Sequence, residues 1–224
     1  MDEVIKRKRG RPSAKKQLNK EALFQLALKA FAEQGYNGVR MSALAKGAGV
    51  ANSLLNYYFQ TEDGVQPKEN LWKQTMLYAY EQLQEKFKSV HRNFKDLEGI
   101  PLLKVLTRQY VYFAAEFPEY SEIFTYEMSV KSDRADWLLK NLAMPMHEQV
   151  DKVYRREQKN GNIKNFDTAN LILITMGAAN LFFNYKYFLH NKYGVEVFQE
   201  AEIEKHADAV IEIIFNGMID NQNK

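Results

Sequence analysis

The side chains best suited to chemistry in this chain crowd into one short stretch, Ala51-Asn52-Ser53 followed by Asn56-Tyr57-Tyr58. An asparagine amide donates and accepts along one edge, the pattern that pairs bidentately with adenine; Asn52 is the first such candidate and Asn56 the second. Tyrosine hydroxyls suit phosphate oxygens, contacts that position a protein on a duplex without reading its bases; the alternative is that one of Tyr57 and Tyr58 is core. Just upstream, Ser42 and Ala43 open a helix whose free N–H groups can hold a phosphate. The chemistry these residues share is recognition of a nucleic acid rather than bond making.

Bond-making chemistry finds little support elsewhere. The histidines His91, His147, His190 and His206 are scattered without the spacing of a metal site. His147, beside Met144 and Met146, reads as packing. There is no phosphate-cradling glycine loop and no Gly-x-Ser-x-Gly elbow. Carboxylates lie beside lysines at helical spacing, as in Glu81, Glu85 and Lys86, the usual solvated pattern. Cysteine is absent, which excludes disulfides, thiolate nucleophiles and cysteine-ligated zinc. We therefore expect no catalytic residue, no metal and no cofactor.

The element that must position the candidate residues is the stretch Arg40 to Phe59. Ser42 is expected to cap a first short helix through its hydroxyl, with Met41, Leu44, Ala45 and Ala48 at helical spacing. Gly49 falls where the chain must reverse, and glycine takes a left-handed turn cheaply. Val50 returns to the core. Asn52 or Ser53 caps a second helix that buries Leu54 or Leu55 and closes in Tyr57-Tyr58-Phe59. The small Ala45 and Ala48 let the two helices cross closely. This is the pattern of a helix-turn-helix whose second helix enters a major groove; the alternative is an αα-hairpin in an ordinary helical core.

A preceding helix, about Asn19 to Gln34, carries Leu23, Leu26, Ala27, Ala30 and Phe31 on one stripe, with Asn19 a partial capping signal and Gly35 as its stop. Taken together, the run LFQLALKAFAEQGYNGVRMSALAKGAGVANSLLNYYF closely resembles the N-terminal domain of the TetR family of bacterial transcriptional regulators. The resemblance rests on Ala27 to Phe31, Gly35-Tyr36-Asn37-Gly38, Ala48-Gly49-Val50 and Tyr57-Tyr58-Phe59, and covers roughly Leu23 to Leu71. It implies a regulator that binds double-stranded operator DNA and responds to a small apolar or aromatic effector. Two departures stand out. The family commonly has a tyrosine where this chain has Asn56. Its lysine shortly after the closing aromatic is here displaced to Lys68, beyond the connection Gln60 to Gln66; by resemblance Lys68 would reach a phosphate.

The chain has 224 residues and a net charge of +3, enough length for one large or two small domains. Residues 1–20 carry +6 and the remainder −3, so a polyanion is expected at the N-terminal end. Residues 1–16 are nearly devoid of apolar side chains and are expected to be disordered in isolation. Within them Lys8-Arg9-Gly10-Arg11-Pro12 resembles an AT-hook, in which Arg9 and Arg11 would enter a narrow A·T-rich minor groove; the alternative is a solvated tail that adds only nonspecific phosphate affinity. No apolar run is long enough to span a bilayer and the charged N-terminus lacks a signal-peptide core, which suggests a cytoplasmic protein without membrane association.

Helical periodicity continues to the end, with further helices expected at about 67–92, where Pro67 suits the first turn, 100–116, 118–130, 133–160, 166–192 and 201–221, and a kink at Pro145. The expected fold is all-α, about nine helices: a basic arm (1–18), a helix-turn-helix domain (19–66, motif 40–59) and a helical effector-binding and dimerisation body (67–224). The last two helices are apolar on more than one face (Leu171, Ile174, Ala178, Leu181 and Tyr185 on one side, Ile172, Phe182 and Phe183 on another; then Ile203 to Met218), which suggests a homodimer about a twofold axis, the alternative being intramolecular core. For the effector, by family resemblance, the candidates are Phe113, Phe117, Phe124, Met128, Trp137, Met176 and Phe183, although plain core packing suits any one of them. The reading is a ligand-responsive, sequence-specific DNA-binding regulator, a repressor released from a palindromic operator; the alternative is an architectural binder of A·T-rich DNA without an effector.

Overall fold

A computed structural model describes residues 18–218. They form eleven α-helices and one π-helical turn, with no β-strand among the described residues. The basic arm, including Arg9 and Arg11, and the final residues after Met218 lie outside them.

Helix α1 (Lys20–Gly38) starts where expected: the Asn19 side chain accepts from the Ala22 N–H at 3.1 Å, satisfying one orphan donor of the first turn. Its regular path breaks at Gly35, whose φ of 66° suits glycine best. Helices α2 (Met41–Gly47) and α3 (Asn52–Phe59) follow, joined through Gly49 at φ 67°. Neither expected cap forms. The N-cap of α2 is Arg40 and that of α3 is Ala51, both extended and without a capping side chain, so Ser42, Asn52 and Ser53 fall inside the first turns. Burial sets the register instead. Val39, Leu44, Ala45, Leu55 and Phe59 are all buried, and each large apolar side chain is worth about 1.5–3 kcal/mol against about 1 kcal/mol for a cap.

Helix α4 (Pro67–Asn93) opens on proline, whose fixed φ and missing N–H fit a first turn. It carries Leu71, Trp72, Met76, Ala79 and Leu83, all fully buried, so one apolar core runs without interruption from the helix-turn-helix into the body. The loop before it, residues 60–66, is held by its own turn. Asp63 accepts from the Val65 N–H, the Thr61 hydroxyl donates to the Val65 carbonyl, and the Asn70 amide donates to the Phe59 carbonyl at 2.8 Å. The end of α3 is thereby tied directly to α4.

The body continues with α5 (Gly99–Glu116), α6 (Pro118–Ser129), α7 (Asp133–Leu138), the π-turn Leu139–Ala143 and α8 (Met144–Lys159). The kink expected at Pro145 takes the form of that wider turn, set immediately ahead of the proline that cannot donate to it. The segment expected as one helix over 166–192 is two, α9 (Thr168–Asn184) and α10 (Lys186–Tyr193), divided at Tyr185 (φ −93°, ψ 22°). No glycine or proline marks the break; the Ser121 hydroxyl of α6 bonds Asn184 at 3.1 Å at the end of α9. Helix α11 (Glu200–Met218) packs across α5 and α9. Helix α1 lies against α4 and α6, which seats the head on the body. Among the described residues no helix is long and apolar enough to cross a membrane.

Candidate nucleic-acid interface and body cavity

Helix α3 is anchored by Leu55 and Phe59, which leaves Ala51, Asn52, Ser53, Tyr57 and Tyr58 exposed on its outer face and Asn56 at the margin. Tyr57 is 74% exposed and Tyr58 44%, so neither is core. Asn56 donates from its amide to the Asn52 carbonyl at 2.8 Å and to Asn52 Oδ1 at 3.2 Å. That contact occupies one lone pair of Asn52 and orients its amide, leaving the NH2 and a second lone pair for an outside partner. The i,i+4 spacing of two asparagines was a signal for this pairing that sequence reasoning passed over. Ser42 and Ala43 are exposed in the first turn of α2. Arg40, exposed at its N-cap, adds a cation that the sequence reading missed although it adjoins them.

Lys68 is placed differently from expectation. Its ammonium donates to the Asn37 carbonyl at 3.4 Å and lies 4.6 Å from the centre of the Tyr36 ring. Burial, and then the nearby Arg134, push its pKa down. In the free chain it links the end of α1 to the start of α4. Arg134 from α7 sits 4.2 Å from the same Tyr36 ring and donates from Nε at 2.7 Å to Glu127, a carboxylate almost wholly buried on α6.

The body holds a chain of spaces. An apolar chamber of about 60 Å³ lies between α5, α8 and α9, lined by Leu103, Leu106, Thr107, Tyr110, Met146, His147, Tyr154, Ile172 and Met176 among others. At one end, His147 and Ile172 also border an open cleft with Asp151, Arg155 and Leu173. At the other, Tyr110, Met146 and Met176 also line an inner space of about 10 Å³ with Tyr120, Phe124 and Asn180. Burial raises the Tyr110 phenol to about 12, the hydrogen bond from Asn180 opposing it, and pushes Tyr120 and Tyr154 up as well.

Of the seven residues expected at an effector site, Met176 lines both the chamber and the inner space, and Phe124 the inner space alone. The other five do not line either. Phe113 stacks on Phe117 at 5.3 Å, Trp137 meets Trp72 edge-on, Phe183 is sealed between Phe182 and Phe198, and Met128 packs on the core. These side chains are taken up by close packing against their neighbours instead. The lining residues missed by the sequence reading, Thr107, Tyr110, Tyr154 and Thr175, carry hydroxyls on otherwise apolar helix faces, and that mixture was the available signal.

His147 and His206 both titrate below the ordinary histidine value of 6.5, burial being the leading cause. His206 donates from Nε2 to the Ala178 carbonyl at 3.0 Å and stacks on Phe182. Below 6.5 the unfolded chain takes up these protons before the folded one, so stability falls with acidification. Urea midpoints at pH 7.5 and 5.0 should show a larger loss for the native protein than for a His147→Gln, His206→Gln double variant; equal losses would assign the acid sensitivity to other groups.

Residues 23–65 match the family model described as bacterial regulatory proteins, tetR family, a span that takes in α1 from Leu23, all of α2 and α3, and the loop before α4. The chain thus carries a TetR-family helix-turn-helix domain. Over about nine-tenths of its length the chain shares the fold of solved bacterial transcriptional regulators. A fatty acid metabolism regulator of Clostridium perfringens superposes with a TM-score of 0.71 at 22% identity over 89% of this chain and 100% of its own. FadR of Bacillus subtilis, solved in complex with stearoyl-CoA, gives 0.62 at 16% over 88% and 98%. The ketosteroid regulator KstR2 of Mycobacterium tuberculosis gives 0.60 at 14% over 92% and 98%. No curated protein sequence matches the chain.

Proposed function

We propose that this protein is a homodimeric, ligand-responsive transcriptional regulator that binds a palindromic operator in the cytoplasm and releases it when a small apolar effector enters the body. The observation that carries the reading is the outer face of α3. A short helix pinned by two buried side chains presents Asn52, Ser53, Asn56, Tyr57 and Tyr58 to solvent. In this reading Asn52, oriented by Asn56, reads a base edge. Tyr57, Tyr58, Ser42 and Arg40 hold phosphates, and Arg9 and Arg11 reach the flanking minor groove. Residues 1–18 act as the arm, 19–66 as the DNA-binding domain and 67–224 as the effector and dimerisation body.

The dimer reading is supported by α9, which exposes Leu173, Ile174 and Leu181, and by Ile213 on the adjacent α11, 74% exposed. Two such helices from each chain would form a bundle about a twofold axis. The effector reading is supported by the apolar chamber, and the solved relatives named for fatty acid and ketosteroid regulation make an apolar ligand the natural expectation. The chamber also favours this reading over an architectural DNA binder, which needs none. A ligand that fits only the arrangement with misplaced heads shifts the equilibrium by its differential affinity and no more.

The test is selection of bound duplexes from genomic fragments at two salt concentrations, followed by the Asn52→Ala variant. A palindromic consensus surviving high salt is expected. Asn52→Ala should relax one base position per half-site by about 1–3 kcal/mol of discrimination, leaving the other positions unchanged. Enrichment of A·T-rich fragments alone, lost as salt rises, would overturn the proposal.

A further inference from the structure

We propose that the body chamber takes an uncharged apolar molecule bearing a hydroxyl group at its buried end, held there by Tyr120 and Asn180. The inference rests on the effector reading and deepens it.

Two of the residues that line the inner space between α5, α6 and α9 each carry a buried polar atom with no hydrogen-bond partner among the described residues: Tyr120 its hydroxyl and Asn180 its Oδ1. Both atoms are buried, and they come from different helices, so two separate elements bordering one small space each leave a polar group unpaired. Buried polar groups are otherwise paired in folded proteins, because leaving one unmade forfeits its hydration with no return. The rest of the Asn180 amide is committed, its Nδ2 donating to the Tyr110 hydroxyl at 3.0 Å. Turning the amide over would exchange which of its atoms is unpaired without removing the vacancy in the pairing.

The group that completes the spot must satisfy both residues at once. Tyr120 can donate or accept, while Asn180 offers an acceptor as oriented. A hydroxyl donates to one and accepts from the other through a single oxygen. A ketone oxygen only accepts and leaves Asn180 Oδ1 unmet. A carboxylate or ammonium is excluded by the lining: no Lys, Arg, Asp or Glu borders either the inner space or the chamber, and an unpaired charge there would lose its hydration uncompensated. The remainder of the molecule would lie in the chamber, past Met146 and Met176, toward the mouth at His147 and Ile172.

The chamber's about 60 Å³ is less than the roughly 150 Å³ of an engineered cavity that admits benzene. A hydrocarbon chain therefore enters only if Met146, Met176 and the α8–α9 contact give way. The thioethers, with three rotatable bonds each, are suited to doing so. Widening between α8 and α9 is also what would link occupancy to the dimer face, since α9 carries Leu173, Ile174 and Leu181.

The experiment titrates the full-length protein by calorimetry with three probes of matched chain length: 1-octanol, octanoate and octanal. The alcohol is expected to bind at least tenfold more tightly than either other probe. Tyr120→Phe and Asn180→Leu should each erase most of that preference while leaving the protein folded, and Tyr120→Phe, which removes an unpaired hydroxyl, should melt no lower than the native protein. Preference for octanoate, equal binding of all three, or an unchanged preference in both variants would overturn the proposal. So would a lowered melting point for Tyr120→Phe with no change in preference, the signature of a structural water. Operator release is read separately. If octanol binds as expected and the operator is held regardless, the site stands and the effector reading falls. If octanol shows no such preference while some other compound releases the operator, the effector reading stands and this site falls.

Discussion

Replacing Ile174 with arginine is expected to turn the protein into a monomer and to lower its affinity for a palindromic operator by at least a hundredfold. Ile174 is 60% exposed in the isolated chain, between Leu173 at 64% and Leu181 at 54% on the same helix. The substitution therefore costs the monomer almost nothing. In a twofold contact the same residue comes from both chains, so each dimer gains two guanidinium groups in an apolar interface. The loss on DNA follows from linkage of the heads: a second half-site bound within one dimer sees an effective concentration in the range of mM, worth about 10²–10⁴ in affinity. Sedimentation equilibrium and operator titration check both parts, with helical content by circular dichroism as the control. A variant that keeps its dimeric mass would remove α9 from the interface.

Arg134→Met is expected to destabilise the fold by about 3 kcal/mol, the lower end of the range for orphaning a buried charge because the guanidinium is partly open to solvent. Glu127 is the reason. Its side chain is 2% exposed, with Oε1 accepting from Arg134 Nε and Oε2 from the Ser132 hydroxyl. For a domain of this size the loss corresponds to a drop in Tm of roughly 6–12 °C. Adding Glu127→Leu should recover most of it, because the pair removed together leaves no unpaired carboxylate. The position matters beyond stability. Arg134 reaches from α7 to the Tyr36 ring of the head, with Trp72 of α4 nearby and Lys68 against the same ring. A double variant that regains stability and yet responds less to effector would identify this contact as part of the coupling between body and head. If Arg134→Met melts like the native protein, the pair is incidental.

The parts of the molecule that sequence reasoning reached are those decided by neighbours along the chain. Asn19 caps α1 because its side chain needs only the N–H three residues on. Pro67 and Pro118 begin helices because proline's own ring supplies the geometry. Gly49 makes the turn between α2 and α3, and Leu23, Ala27 and Phe31 form a stripe because the helical period puts them there. The exposure of Asn52 and Ser53 was legible for the same reason, whereas Tyr57 and Tyr58 were placed outward only once packing chose Leu55 over Leu54 as the buried residue.

Where two distant elements had to agree, local signals misled. Ser42 carries a good capping side chain, but burial of Val39 and Leu44 moved the helix start ahead of it. Tyr185 breaks a helix without any residue that breaks helices, at a place where α6 bonds the preceding turn. Lys68, expected by resemblance to meet a phosphate, donates to the Asn37 carbonyl and lies over the Tyr36 ring, contacts that no local signal marked. The body cavity is the extreme case. A cavity is what remains after three or four helices have packed, so no single helix encodes it, and the conspicuous rings of Phe113, Phe117 and Phe183 went to fill space elsewhere. By itself, then, the sequence determined an all-helical chain with a TetR-type helix-turn-helix and the polar face it presents, because helical period and turn chemistry act over a few residues. The tertiary structure alone decided which side chains line the body chamber and which polar atoms it leaves unpaired, because both depend on how closely helices far apart in the chain can approach.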